Sequence, residues 1–143
     1  MAPATPTRSS ASEAEDAALA GRAVAALAHA YSPYSQVRVG AALLAEDGRV
    51  FTGCNVENAS LGLSWCAERT AVVKAVSEGA RSFRAIAVAT DLARPVMPCG
   101  ACRQVLFEFA PYLRILVVGA GGKRYETFLE DLFPEAFGPA DLR

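Results

Sequence analysis

Apolar residues fall at helical spacing at Ala20, Val24, Leu27 and Tyr31, inside an alanine-rich stretch from Ser12 to Ala30. That period predicts a helix with these four residues on its inner face. Ser12 followed by Glu15 is a capping-box pattern, in which each side chain satisfies a free amide at the helix start, and Pro33 ends the segment. The pattern then changes to strand-like runs, Val37 to Leu44 and Val50 to Cys54. Glu46-Asp47-Gly48 between them reads as a hairpin turn, with Gly48 supplying the positive φ. Asn55 to Ser64 is polar and reads as a loop. Cys66 to Glu78 returns to a helical pattern, with Val72, Val73 and Val76 turned inward and Gly79 closing the helix. Ala85 to Thr90 is a short apolar run suited to a central strand. Pro98 precedes a third helix, Cys99 to Ala110. Arg114 to Val118 and Arg124 to Phe128 read as strands joined by a tight turn at Gly121-Gly122, and a helical turn at Leu129 to Leu132 stops before Pro134.

This order predicts an α/β fold, a three-layer α/β/α sandwich around a five-stranded mixed sheet. The first two strands pair antiparallel. The strands flanking the second and third helices need crossovers and so run parallel. The Gly-Gly turn makes the last two antiparallel. Residues 1–11, rich in Ala, Pro, Thr and Ser, read as a flexible tail, and residues 12–143 as one domain.

Composition narrows the function. The chain has 143 residues, 52% of them hydrophobic and 20% charged, enough for a real core and too apolar for disorder. Its net charge of −1 leaves no basic footprint for a nucleic-acid polymer. No apolar run approaches the ~18 residues of a membrane span. The first residues lack the apolar segment of a secretion signal, so the expected compartment is the cytoplasm. In that compartment Cys54, Cys66, Cys99 and Cys102 are metal ligands, catalytic groups or buried apolar residues rather than disulfides. Cys54, at a strand end, reads as a buried small residue.

The other three cysteines carry the chemistry. Cys66-Ala67-Glu68 opens one predicted helix and Pro98-Cys99-Gly100-Ala101-Cys102 opens the next. A three-residue spacing puts Cys99 and Cys102 on one helical face, and helix N-termini favour thiolates. Three sulfurs on zinc leave a fourth tetrahedral position open, as catalytic zinc sites do. Glu68, two residues from Cys66, is placed to move a proton to and from the reacting water. A hard carboxylate is a poor zinc ligand beside three soft sulfurs. Three thiolates give the ion a net negative charge, and Arg69 is expected to return positive charge by hydrogen bonding to sulfur; Arg103 is a second candidate. The pairing of x-Glu with Pro-Cys-x-x-Cys is the known signature of zinc nucleobase deaminases, one form of which uses three cysteines.

The chain resembles the small, homotetrameric, three-cysteine cytidine deaminases. The resemblance runs through Tyr34-Ser35, Val39 to Leu44, Asp47 to Ser60, Cys66 to Ala71, Pro98 to Leu106, Phe133-Pro134 and Phe137-Gly138, nearly everything after the tail. It implies zinc on Cys66, Cys99 and Cys102, one ion per subunit, and Glu68 as proton shuttle. It implies Asn55 and Glu57 at the ribose 3′-hydroxyl, the backbone of Ala67 at the base, and Phe137 reaching into a neighbouring subunit's site in a homotetramer. The implied substrate is a small cytosine nucleoside, in pyrimidine salvage. A site that hydrogen-bonds a hydroxyl rejects ligands lacking it, which favours nucleosides over free cytosine.

The chain departs from the family twice. Val37 stands where an aromatic residue commonly packs on the base, and Leu61 where tyrosine is common. Trp65 is bulkier than the residue usual before the first cysteine. An aromatic contact is worth about 0.5–1.5 kcal/mol beyond its area, so these changes predict a reshaped pocket, with cytidine a weaker substrate or a bulkier cytosine nucleoside accepted. Two rival readings remain at this stage: a deaminase of modified or antibiotic cytosine nucleosides, and a catalytically silent zinc-stabilised nucleoside-binding domain.

Overall fold

Strands buried on both faces read as continuous apolar runs, and three here do. The computed structural model describes residues 11–142. It contains strands β1 (Val39–Ala45), β2 (Val50–Cys54), β3 (Phe83–Thr90), β4 (Arg114–Val118) and β5 (Arg124–Phe128), with helices α1 (Glu13–Ala26), α2 (Ala67–Ser77), α3 (Gly100–Phe109) and α4 (Leu129–Leu132). The strand order is β2-β1-β3-β4-β5. β1 pairs antiparallel with both β2 and β3, β3 pairs parallel with β4, and β4 pairs antiparallel with β5. The expected mixed α/β sandwich is therefore observed. The crossover through α2 passes over β1, so β2 and β3 run in the same direction without being neighbours. The tail assigned to residues 1–11 lies, except for Ala11, outside the described residues.

Side-chain size differs between the two sheet faces. β3 presents Ala85, Ala87 and Ala89 to Leu19, Ala20 and Ala23 of α1. Its other face presents Ile86 and Val88 to the larger core, shared with Val72 of α2 and Leu106 of α3. Two glycines bring helices close to the sheet. A Cβ on Gly40 would lie 2.1 Å from the Ala23 carbonyl oxygen of α1, and one on Gly53 would lie 2.6 Å from main-chain atoms of Ala67 and Ala71 in α2. The start of α2 is thus seated directly on β2.

Three local expectations need correction. The inner face of α1 is Leu19, Ala20, Ala23 and Ala26, while Val24 and Tyr31 are exposed. Alanines surround this helix, so periodicity alone does not select a face. The α-helix also ends at Ala26 and tightens into a 3-10 turn over Leu27–His29. In α2, Val72 is buried but Val73 points to solvent. The Ser12 cap is present, its hydroxyl accepting from the Glu15 N–H at 3.2 Å. Gly48, Gly79 and Gly122 all take positive φ, the first two at the turn and helix end read from sequence.

The topology decides where the chemistry sits. Because β2 and β3 share a direction, their C-terminal ends lie along one edge of the sheet. The chain leaves β2 towards the N-terminus of α2, and leaves β3 towards that of α3. Ligand sites in open α/β sheets form at such strand ends.

Candidate active site

Cys66 and Cys99 are the residues immediately before α2 and α3, both extended and neither capping its helix with its side chain. Their sulfurs are free to meet. Cys66 Sγ lies 3.9 Å from Cys99 Sγ, which lies 3.6 Å from Cys102 Sγ. Two sulfurs on a tetrahedral zinc at about 2.3 Å would lie about 3.8 Å apart. The three are the only group of three or more His, Cys, Asp or Glu among the described residues able to share a metal ion. Cys102 is fully buried, Cys66 partly so, and Cys99 exposed. Cys54 lies apart from them and is half-buried rather than buried.

Charge in the cluster is uneven. The Cys66 thiol is pulled down to about 5, chiefly by its hydrogen bond with Cys102 and, against the opposing effect of burial, by Arg69. Cys102 is pushed far up by the same hydrogen bond, by burial and by the charge of Glu68. Crowded sulfurs do not all ionise by themselves; a divalent cation removes that conflict, because metal ligation requires thiolates and displaces their protons. The donor set therefore fits zinc in spacing and in softness.

Arg69 Nη2 donates to Cys66 Sγ and to the Ser64 carbonyl, each at 3.3 Å. Its guanidinium lies 5.6 Å from the Trp65 ring centre. The expected sulfur contact of Arg69 is thus present. Arg103 instead donates to the carbonyls of Pro98 at 2.7 Å and Leu132 at 2.8 Å, fastening α3 to α4.

Glu68 stands in the first turn of α2 and is only 5% exposed. Burial pushes its carboxyl up to about 7, against its own backbone N–H and with the charge of Cys66 adding to the rise. A surface acid placed for the helix dipole would be solvated; this one faces a pocket of about 430 Å³ beside the sulfurs. The same pocket is lined by Val37, Asn55, Glu57, Leu61, Trp65 and Ala67. Asn55 is buried, its Oδ1 accepting from the Val39 N–H at 2.9 Å and its Nδ2 donating to the Val37 carbonyl at 2.8 Å. This amide holds the approach to β1, which starts at Val39 rather than at the expected Val37. Phe137 does not line this pocket. It is 56% exposed near the C-terminus, its carbonyl accepting from Gln104 at 2.9 Å.

Comparison with known proteins adds to this geometry. A family described as the cytidine and deoxycytidylate deaminase zinc-binding region matches residues 13–119. The chain is 52% identical over 114 residues to a cytidine deaminase of Sporosarcina psychrophila, covering 79% of this chain and 84% of that one. It is 50% identical over 121 residues to one of Halalkalibacterium halodurans, covering 84% and 92%. The crystal structure of cytidine deaminase from Burkholderia pseudomallei superposes with a TM-score of 0.82 at 50% identity, over 85% of this chain and 98% of that one. The chain belongs to this deaminase family.

A deaminase of this family is a zinc enzyme, and Cys66, Cys99 and Cys102 are the residues that would hold the ion. Among the described residues no helix is long and apolar enough to cross a membrane. Sequence reasoning left Ser35, Val96 and Met97 out of the pocket wall, where the structure places them. Val96 and Met97 sit outside the matching stretches and Ser35 lies in one without a role of its own, so only the loop paths bring them in. Trp65, the bulky residue before the first cysteine, is also on this wall and is 46% exposed.

Proposed function

We propose that the chain hydrolyses the 4-amino group of cytidine and deoxycytidine, giving the uracil nucleoside and ammonia. The observation that carries this reading is a buried carboxyl, Glu68, facing the pocket that is also lined by Cys66 and Cys99 of the three-thiol cluster. The relatives named above as cytidine deaminases support it. Zinc held by Cys66, Cys99 and Cys102 supplies, when bound, the acidity that makes water a nucleophile near neutral pH. Glu68 would take one proton from the attacking water and give it to N3 of the base as the oxygen bonds C4, then take the second proton from that oxygen and give it to the amine, whose bond to C4 breaks as ammonia leaves. Its raised proton affinity suits a group that must both accept and donate. Arg69 holds positive charge against Cys66 and limits the negative charge that three thiolates place on the ion. The Ala67 backbone lies beside the base, Val37 forms part of the wall against it, and Asn55 and Glu57 take the ribose 3′-hydroxyl.

The pocket favours a nucleoside over a nucleotide. Arg69 is the one cation among its lining residues, and its Nη2 is already bound to Cys66 and Ser64. Among the described residues lining the pocket, no second cation waits for a 5′-phosphate. A panel of cytidine, deoxycytidine, cytosine and CMP, followed by ultraviolet absorbance, checks this. Both nucleosides are expected to exceed cytosine in kcat/KM by about 10⁴-fold, the size of a discrimination that leaves a site's hydrogen-bonding groups unpaired, and to exceed CMP, whose phosphate finds no partner cation. Preferential turnover of CMP would overturn the nucleoside assignment. The short side chains of Val37 and Leu61 on the wall also favour acceptance of a bulkier cytosine base, and one such nucleoside belongs in the panel.

The same reading makes the protein a cytoplasmic enzyme of pyrimidine salvage that works as a homotetramer. Exposed apolar residues Tyr31, Leu61, Leu63 and Phe137 support assembly, and the role assigned to Phe137 is contact with a neighbouring subunit's site.

A further inference from the structure

The segment from Tyr34 to Val37 is bent around one carboxylate. Glu57 Oε1 accepts from the Tyr34 N–H at 3.0 Å and the Ser35 N–H at 3.1 Å, and Glu57 Oε2 accepts from the Ser35 hydroxyl at 2.5 Å. The Ser35 oxygen in turn accepts from the Val37 N–H at 3.1 Å. Between them Gln36 takes φ of 60°, a left-handed conformation that L residues avoid, while its own N–H donates to the Ser32 carbonyl at 3.0 Å. The bend is thus held against its local preference by the Glu57 carboxylate and by the Ser35 hydroxyl, which links that carboxylate to the Val37 N–H beyond the strained residue.

We infer that Ser35 is a positioning residue for sugar recognition: it aims the last open acceptor site of Glu57 into the pocket and fixes the adjoining wall at Val37. An ionised carboxylate offers about four acceptor sites, and residues 34 and 35 fill three of them. The remaining site is on Oε2, the oxygen that the Ser35 hydroxyl orients. Without that bond Glu57 keeps only its two main-chain contacts at Oε1, and Oε2, the oxygen with the open site, loses the group that orients it. The Ser35 hydroxyl also holds the Glu57 carboxyl below the usual carboxylate range, with the main-chain N–H groups of Ser35 and Tyr34 adding to the effect against burial. The acceptor is therefore ionised at neutral pH. Val37 is gripped from both ends, its N–H by Ser35 and its carbonyl by Asn55, so the sugar-binding and base-facing parts of the pocket share one support.

The inference rests on the reading of Glu57 as the acceptor for the sugar hydroxyl, and the test separates the two. The probes are uridine and 2′,3′-dideoxyuridine, used as competitive inhibitors of the zinc-loaded enzyme, and the readout is the inhibition constant of dideoxyuridine divided by that of uridine. The variants Ser35→Thr and Ser35→Val have the same shape and differ in the hydroxyl. Wild type and Ser35→Thr are expected to share one ratio, while Ser35→Val and Ser35→Ala lower it by about 10-fold, the effect of losing one hydrogen bond to a charged group. Glu57→Gln is expected to lower it as well. If both inhibitors weaken in parallel in the Ser35 variants while Glu57→Gln lowers the ratio, Ser35 is merely structural and the inference falls alone. If Glu57→Gln leaves the ratio unchanged, the Glu57 assignment falls and takes the inference with it. Zinc content and thermal melting of each variant establish that the comparison is between folded enzymes, and the Thr and Val pair decides the matter should Ser35→Ala not fold.

Discussion

Glu68→Gln is expected to lower turnover of cytidine by at least about 10³-fold, within the range carried by a positioned acid–base group. The substitution keeps size and shape, removes only the transferable proton, and leaves all three sulfurs in place. Glu68 is almost fully buried and its carboxyl is raised to about 7, so replacing it by a neutral amide relieves a desolvated acid and is not expected to unfold the protein. Zinc analysis and a thermal melt on the variant should match wild type, while an ultraviolet assay shows the loss. Near-normal turnover in Glu68→Gln would mean that some other group moves the protons, and the proposed mechanism would be wrong.

The second large effect belongs to Cys102. It is fully buried behind the other two sulfurs and lies 3.6 Å from Cys99. Cys102→Ser exchanges a soft thiolate for a hydroxyl that does not ionise at neutral pH. Zinc content is expected to fall below about a tenth of an equivalent, since metal affinity here depends on deprotonated soft donors, and activity is expected to fall with it. Cys54→Ser is the control. Cys54 is outside the cluster, its thiol is pushed up by burial, and the variant should keep both zinc and turnover. Full zinc occupancy in Cys102→Ser, measured by atomic absorption after dialysis, would remove the three-sulfur site from the account.

How much of this was legible in the sequence depended on the range of the interaction. Turn and cap residues act locally, so Ser12, Gly48 and Gly79 could be read directly, and the edges of β2, β4 and β5 fell where the patterns placed them. The metal cluster was legible because each half lies within one helical turn and β2 and β3 run in the same direction. What remained hidden was set by contacts distant in sequence. The placement of β1 between β2 and β3 is a choice among pairings that local pattern does not make. The inner face of α1 was misread at Val24 because alanine packs on any side. Asn55 and Glu57 were marked for a sugar, but their grip on Val37, Val39, Tyr34 and Ser35 appears only once the loop before β1 folds back on them. Ser35 carried no signal of its own beyond its place in a matching stretch.

The most direct test of the account is ammonia release from cytidine by purified wild-type protein whose zinc has been measured in the same sample. One zinc per chain, with one ammonia and one uridine formed per cytidine consumed, and loss of both on chelation followed by recovery with added zinc, is the predicted result. A fully zinc-loaded protein that leaves cytidine unchanged, or a metal-free one that converts it, would contradict the claim that these three thiols and this buried acid form a hydrolytic centre.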